Sequence, residues 1–220
     1  MTEHEWLACA KPEPMLKFLQ GKASERKLRL FACACCRRIW RLLTHADSRA
    51  VVDVAERYAD GLERKKTLTA ARRAARRVAL AQRGVAYNAW GAARENIQAA
   101  VIGLASGTAW CASHRPLFGS GPMAADMADV ERELAALAAL VRDAFGNPFQ
   151  SVVLDPAVRT TTVGNLANAA YSERRFTDLP VLADALEDAG CSDEAILSHL
   201  RGPGPHVRAC WVVDLILGKQ

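Results

Sequence analysis

Ser24-Glu25-Arg26-Lys27-Leu28-Arg29-Leu30-Phe31-Ala32-Cys33-Ala34-Cys35-Cys36-Arg37-Arg38 decides the fold class. Ser24 is a helix-capping residue, because its hydroxyl can accept from a first-turn amide that has no partner inside the helix. Beyond it Leu28, Phe31, Cys35, Ile39 and Leu42 recur at the helical period and share one face. Cys35 joins that face as a small hydrophobe, and Cys33 and Cys36 fall on the flank shared with Trp40. The spacing predicts a helix from this cap to Leu43.

The same punctuation repeats in both directions. Met15–Leu19 reads as a helix ended by Gly21, and Asp47 or Ser48 opens another that stops at Gly61. Thr67 or Thr69 starts a long Ala-rich helix, with breaks near Gly84 or Gly91 and an end by Gly103–Gly107. Further helices are predicted over Met123–Ala144, from Thr161 or Thr162 to Arg175, and over Leu179–Ala189 with Asp178 as its cap. Ser192 caps Asp193–Leu200, and Gly202-Pro203-Gly204-Pro205 turns the chain into a last apolar helix, His206–Leu217. Val152-Val153-Leu154 is the one short extended piece. The class is therefore all-α, a compact bundle of about eight helices. Residues 112–122 read as a loop between halves 1–111 and 123–220, unless 1–220 forms one domain.

Half of the 220 residues are hydrophobic and only 6% aromatic, so Ala, Leu and Val must fill the core. Such a chain buries enough apolar surface to fold, which excludes wholesale disorder. The net charge of +5 hides a division. Residues 1–122 carry 21 Lys and Arg against 10 Asp and Glu, whereas residues 123–200 carry 5 against 13. Two faces that attract each other, or one basic face kept for a partner, would each produce that asymmetry.

Arg64–Arg94 concentrates the charge: nine Lys and Arg in 31 residues, with no acid. At about 100° per residue, Lys65, Arg72, Arg76 and Arg83 fall within about 40° of one another. Lys66, Arg73 and Arg77 widen the arc, and Ala71, Ala74, Val78 and Val85 lie opposite. Arginine forks match phosphate oxygens, and each phosphate neutralised releases counterions. No base-reading motif accompanies the stripe, so it points to sequence-independent nucleic-acid binding through residues 64–83. The bland alternative is a solvated face or one paired with the acidic half. Tyr87 and Trp90 are near enough in sequence to supply stacking.

The other chemistry-bearing residues are weaker signals. Cys33 and Cys36 lack the second pair a zinc module needs and sit mid-helix, so they read as structural thiols. Cys191, His199, His206 and Cys210 offer four zinc-type donors, with His206 and Cys210 four apart on the predicted last helix; no metal is favoured from their spacing alone. Cys111-Ala112-Ser113-His114 brings a thiol near an imidazole without an orienting group. Asp184, Glu187 and Asp188 read as a solvated helix face. No phosphate loop, nucleophile elbow or paired-histidine motif is present, which weighs against an enzyme.

Three strings together, Met1-Thr2-Glu3 with Glu5-Trp6-Leu7-Ala8-Cys9, Lys27 through Arg38, and Gly204-Pro205-His206-Val207-Arg208 through Trp211-Val212-Val213-Asp214-Leu215, resemble a multi-copy family of planctomycete proteins. Leu182 through Cys191 is similar to that family as well. The resemblance implies a self-contained chain in a bacterial cytoplasm and carries over no activity, cofactor or catalytic residue. The acidic N-terminus lacks a leader's basic and apolar regions, and no apolar run reaches the ~18 residues of a membrane span. The expectation is a cytoplasmic, cofactor-free binding or adaptor module with reduced thiols. Its partner is a protein or a nucleic acid, and the sequence does not set its oligomeric state. Nucleic-acid binding is the sharper alternative, and a thiol or zinc site the third.

Overall fold

The computed structural model describes residues 1–82, 84–113 and 127–219. Twelve α-helices and three short 3-10 turns, and no strand, lie among the described residues. In order they are α1 (Glu3–Ala8), α2 (Pro12–Phe18), α3 (Glu25–Arg38), α4 (Ala46–Ala59), α5 (Lys65–Gln82), α6 (Val85–Ala92), α7 (Ile97–Ser113), α8 (Met127–Phe145), α9 (Thr161–Glu173), α10 (Leu179–Asp188), α11 (Glu194–Arg201) and α12 (Trp211–Leu217). None of these is long and apolar enough to cross a membrane. The chain divides into two compact units, Met1–Ala138 and Ala139–Gln220, with the division inside α8. Ala112 and Ser113 close α7, and the rest of the expected 112–122 loop lies outside the described residues.

The all-α class holds, but the count of about eight helices is too low. The long helix expected after Thr67, with breaks near Gly84 or Gly91, is three helices, α5, α6 and α7, and the last runs to Ser113, past the expected end at Gly103–Gly107. Gly84 adopts a φ of +57°, which ends α5 and places α6 on a new axis. At Gly91 a Cβ would come within 2.8 Å of the Leu104 side chain, so the missing side chain lets α6 lie close on α7. The short α1 adds to the count, and Thr2 and Glu5 form a reciprocal capping box there.

In the first unit α3 is the central helix, packed by α4, α6 and α7. Ser24 caps it as expected, accepting from the Lys27 amide at 3.3 Å. It ends at Arg38 rather than Leu43, and a 3-10 turn, Trp40–Leu42, follows. Every residue from Leu28 to Cys36 is buried, so the one-faced reading of α3 was too narrow. Cys33 and Cys36 are as fully enclosed as Cys35, because a helix with neighbours on several sides has no solvent flank. Burial pushes all three thiols up, and Arg37 does not reverse this because it forks onto Glu56 and also pairs with Asp53 of α4.

Replacing Cys35 by Ser is expected to lower stability by about 1–3 kcal/mol, since a hydroxyl would be desolvated where a thiol packs. Denaturant titration measures the loss. Thiol-reagent labelling of native protein at neutral pH should leave Cys33, Cys35 and Cys36 unmodified until the chain unfolds.

The second unit is built around Val163, Ala167, Leu179, Leu182, Leu186, Ile196, Leu200, Val212 and Ile216. Here α10 packs on both α9 and α11, and α12 lies against α9. Thr160 caps α9 and Asp193 caps α11, each accepting the amide three residues on. The last helix begins at Trp211, five residues later than expected, which leaves His206 in the preceding loop and Cys210 at the helix start. Residues 151–155, holding the expected extended piece, form no ladder.

Candidate functional site

The cationic face of α5 is open. Lys65, Lys66, Arg73, Arg76 and Arg77 are exposed and Arg72 is half-buried, while Arg83 lies outside the described residues. Among the described residues none of these six makes an ion pair. Helix α4 packs against α5, yet Asp53 and Glu56 of α4 and Asp60 and Glu63 in the turn after it have other partners. Glu56 and Asp53 hold Arg37, Asp60 accepts from Arg26 at 3.2 Å, and Glu63 accepts from Arg57 at 3.1 Å. Lys65 and Lys66 also occupy the first turn, where the helix dipole is positive and carboxylates are the stabilising choice. Local stability is therefore spent on keeping charge at this end.

The buried stripe of α5 is Leu68, Ala75, Val78 and Ala79 rather than the expected Ala71, Ala74, Val78 and Val85. Leu68 is the largest apolar side chain of the first turns, and its burial sets the contact face a fraction of a turn away from the expected one. That rotation brings Arg72 to the edge of the contact. Leu80, 55% exposed, sits inside the basic arc between Arg76 and Arg73. Of the two expected stacking rings, Tyr87 is 39% exposed. Trp90 is half-buried against Val78, Ala79 and Ala86.

The second constellation lies in the C-terminal unit, where Asp143, His199, His206 and Cys210 converge with one donor atom each, all within 4.8 Å of one another. Asp143 comes from the end of α8, His199 from α11, His206 from the loop after it, and Cys210 from the start of α12. His206 Nδ1 lies 2.8 Å from Asp143 Oδ1, and His199 Nε2 lies 3.1 Å from the same oxygen and 3.2 Å from Cys210 Sγ. The outer atoms are held by backbone: the Val207 amide donates to Asp143 Oδ2 at 2.9 Å, and His206 Nε2 sits 3.3 Å from the Gly202 carbonyl. A cleft of about 220 Å³ leads to it, lined by Arg142, Asp143, His199, Gly202, Pro203 and His206.

Burial opposes ionisation of Asp143, but hydrogen bonds from His199 and His206 outweigh it and hold the carboxyl below its ordinary value. Burial likewise opposes a charged His206, and the Asp143 carboxylate overcomes it, raising the imidazole. Burial, then the Asp143 charge, pushes the Cys210 thiol well up. The geometry also lacks the relay of a cysteine nucleophile. A base between a thiol and a carboxylate needs one ring nitrogen for each, and here His199 turns the same Nε2 to both.

Gly204 shapes the loop that returns His206 to the cluster. It adopts φ of +80°, and a Cβ there would stand 3.0 Å from the His206 amide nitrogen and 3.1 Å from its Cδ2. Gly204→Ala should therefore cost about 1–3 kcal/mol and move His206, which imidazole NMR shifts and thermal unfolding would register.

Three of the four expected zinc-type donors, His199, His206 and Cys210, thus meet, although His206 and Cys210 do so across a loop rather than along a helix. Cys191 packs in the apolar core of the unit and stands outside the group. Asp143 was missed; its one signal in the sequence is an acid bordering the buried stripe Leu137, Leu140, Val141 and Ala144. Cys111 is half-buried with Asn88 Nδ2 3.8 Å from its sulfur, and His114 lies outside the described residues. Asp184 and Glu187 are exposed and pair with Arg201. No protein-family model matches this chain, and no curated protein and no solved structure is similar to it.

Proposed function

We propose that this chain is a non-catalytic binding module whose ligand is the phosphate backbone of a nucleic acid, met by the basic face of α5. The observation that carries the reading is that Lys65, Lys66, Arg72, Arg73, Arg76 and Arg77 stand along one helix without an ion pair among the described residues, while Asp53 and Glu56 of α4 and Asp60 just after it pair with Arg37 and Arg26. Unneutralised charge that the fold does not use internally is charge available to a polyanion. Lys65 to Arg77 spans about 18 Å of helix, room for several phosphate contacts. Arginine supplies two-pronged bonds to phosphate oxygens, and the N-terminal amides of α5 favour an anion in the same place.

Backbone contacts position a protein on nucleic acid without reading sequence. Binding is accordingly indifferent to sequence. Fluorescence anisotropy with labelled oligonucleotides of equal length and unrelated sequence, single- and double-stranded, tests this. Affinities agreeing within a few-fold support the reading. A preference of a hundredfold for one sequence, or no binding at low salt, rejects it.

Leu80 favours a second reading, a protein partner with an acidic rim, because an exposed leucine inside the basic arc offers an apolar anchor. The two separate on one substitution. Leu80→Ala leaves phosphate binding unchanged within about twofold, whereas at an apolar anchor it costs more than about 1 kcal/mol of binding.

A further inference from the structure

We propose that Asp143, His199, His206 and Cys210 are the four ligands of a structural zinc ion in the C-terminal unit, through Oδ1, Nε2, Nδ1 and Sγ respectively. The inference stands apart from phosphate binding at α5 and rests on the donor geometry of the cluster.

The donor set selects the metal. Two imidazoles, one thiolate and one carboxylate suit zinc, whereas calcium and magnesium take oxygen ligands. Tetrahedral zinc with bonds of about 2.0–2.3 Å sets its donors about 3.3–3.7 Å apart. The shortest contacts, 2.8, 3.1 and 3.2 Å, fall just below that range, and the widest pair is no more than 4.8 Å apart. The four atoms must shift by about 1 Å or less in their mutual distances to meet tetrahedral spacing.

The outer contacts are those a metal site needs. A ligating histidine usually donates its second ring N–H to a carbonyl, and His206 Nε2 faces the Gly202 carbonyl. A ligating carboxylate is held through its other oxygen, and Asp143 Oδ2 takes the Val207 amide. Each of these residues therefore has one atom fixed by backbone and one turned inward. The single nitrogen of His199 facing both a thiol and a carboxylate is poor relay geometry but sound ligand geometry. Four protein donors leave no open position for substrate, so the ion is structural. It ties the end of α8 to α11, the following loop and the start of α12, and the cleft beside His199 and His206 is the path of entry.

The test uses untagged full-length protein stripped with a chelator and titrated with Zn²⁺, and separately with Co²⁺ as a spectroscopic substitute. The expected result is one metal per chain and a thermal midpoint raised by Zn²⁺. The Co²⁺ form shows the intense visible bands of a four-coordinate site and a near-ultraviolet thiolate charge-transfer band. His199→Gln weakens Zn²⁺ binding at least tenfold, Cys210→Ser removes the charge-transfer band, and Cys191→Ser leaves it in place. Cys210 is fully buried, so its variant can fail to fold; the spectrum of the unmodified protein then decides alone. A weak six-coordinate spectrum without the thiolate band, binding unchanged in His199→Gln, or loss of the band in Cys191→Ser each overturns the assignment.

Discussion

Changing Arg72, Arg73, Arg76 and Arg77 together to Gln is expected to lower nucleic-acid affinity by about 100-fold or more, because phosphate contacts supply nearly all of sequence-independent binding. Lys65 and Lys66 remain in this variant, so residual attraction at low salt is expected and sequence preference is not. The fold should survive. Arg73, Arg76 and Arg77 are exposed, Arg72 is half-buried, and none of the four has an ion-pair partner among the described residues to lose. Exposed substitutions of this kind shift stability by about 0.5 kcal/mol or less each, with more at Arg72, whose stem packs at the edge of the helix contact. Anisotropy gives the affinity, and thermal unfolding of the same sample checks the fold. Unchanged binding in the quadruple variant would reject α5 as the contact surface. A large drop in thermal stability would instead show that the arginines serve the fold.

Arg29→Met is expected to destabilise the first unit by about 3–5 kcal/mol, the largest structural effect of any single change named here. Arg29 is only 3% exposed at the centre of α3. Its Nη1 donates to the Ala92 carbonyl at 3.1 Å and the Arg94 carbonyl at 3.0 Å, where α6 ends and its last carbonyls have no helical partner. Its guanidinium also lies 5.3 Å from the Tyr58 ring centre. Bonds to a charged donor contribute about 1.5–3 kcal/mol each, and truncation leaves two acceptors short of a partner. Removing the cost of burying the cation offsets part of that loss, since burial already lowers the Arg29 pKa. Denaturant titration would show the change as a lower midpoint with an unaltered slope. A loss under about 1 kcal/mol would mean that water replaces the guanidinium between the helices.

The features legible in the sequence were the local ones. Ser24 caps α3, the stops at Gly21 and Gly61 hold with positive φ, and the acid-free stretch of α5 is visible by inspection. Each depends on residues within one or two turns of one another. Tertiary placement was hidden. The periodicity of Leu28, Phe31 and Cys35 shows one apolar face, but only the packing of α4, α6 and α7 shows that the opposite face of α3 is enclosed too. Nothing in the local sequence marks Arg29 as buried, yet it is only 3% exposed. The orientation of α5 was misjudged because Ala is neutral evidence, whereas the burial of Leu68 sets the contact.

At the cluster the sequence offered His199, His206 and Cys210, all within twelve residues. Asp143, more than fifty residues away, joins them only through the folding of the second unit. Cys191 was offered alongside them, and it packs in the apolar core instead. Pattern proposes donors, and only distance selects among them.

The salt dependence of nucleic-acid binding tests the central claim most directly. Six basic side chains contacting phosphates release about four to five counterions, so log affinity against log salt should fall with a slope of about −4 to −5 and lose roughly 250- to 1,000-fold between 50 and 200 mM. The slope should flatten toward −2 in the quadruple Gln variant, where only Lys65 and Lys66 remain. The account predicts that steep line and its flattening. A slope near zero, or a steep slope that the four substitutions leave unchanged, would contradict it.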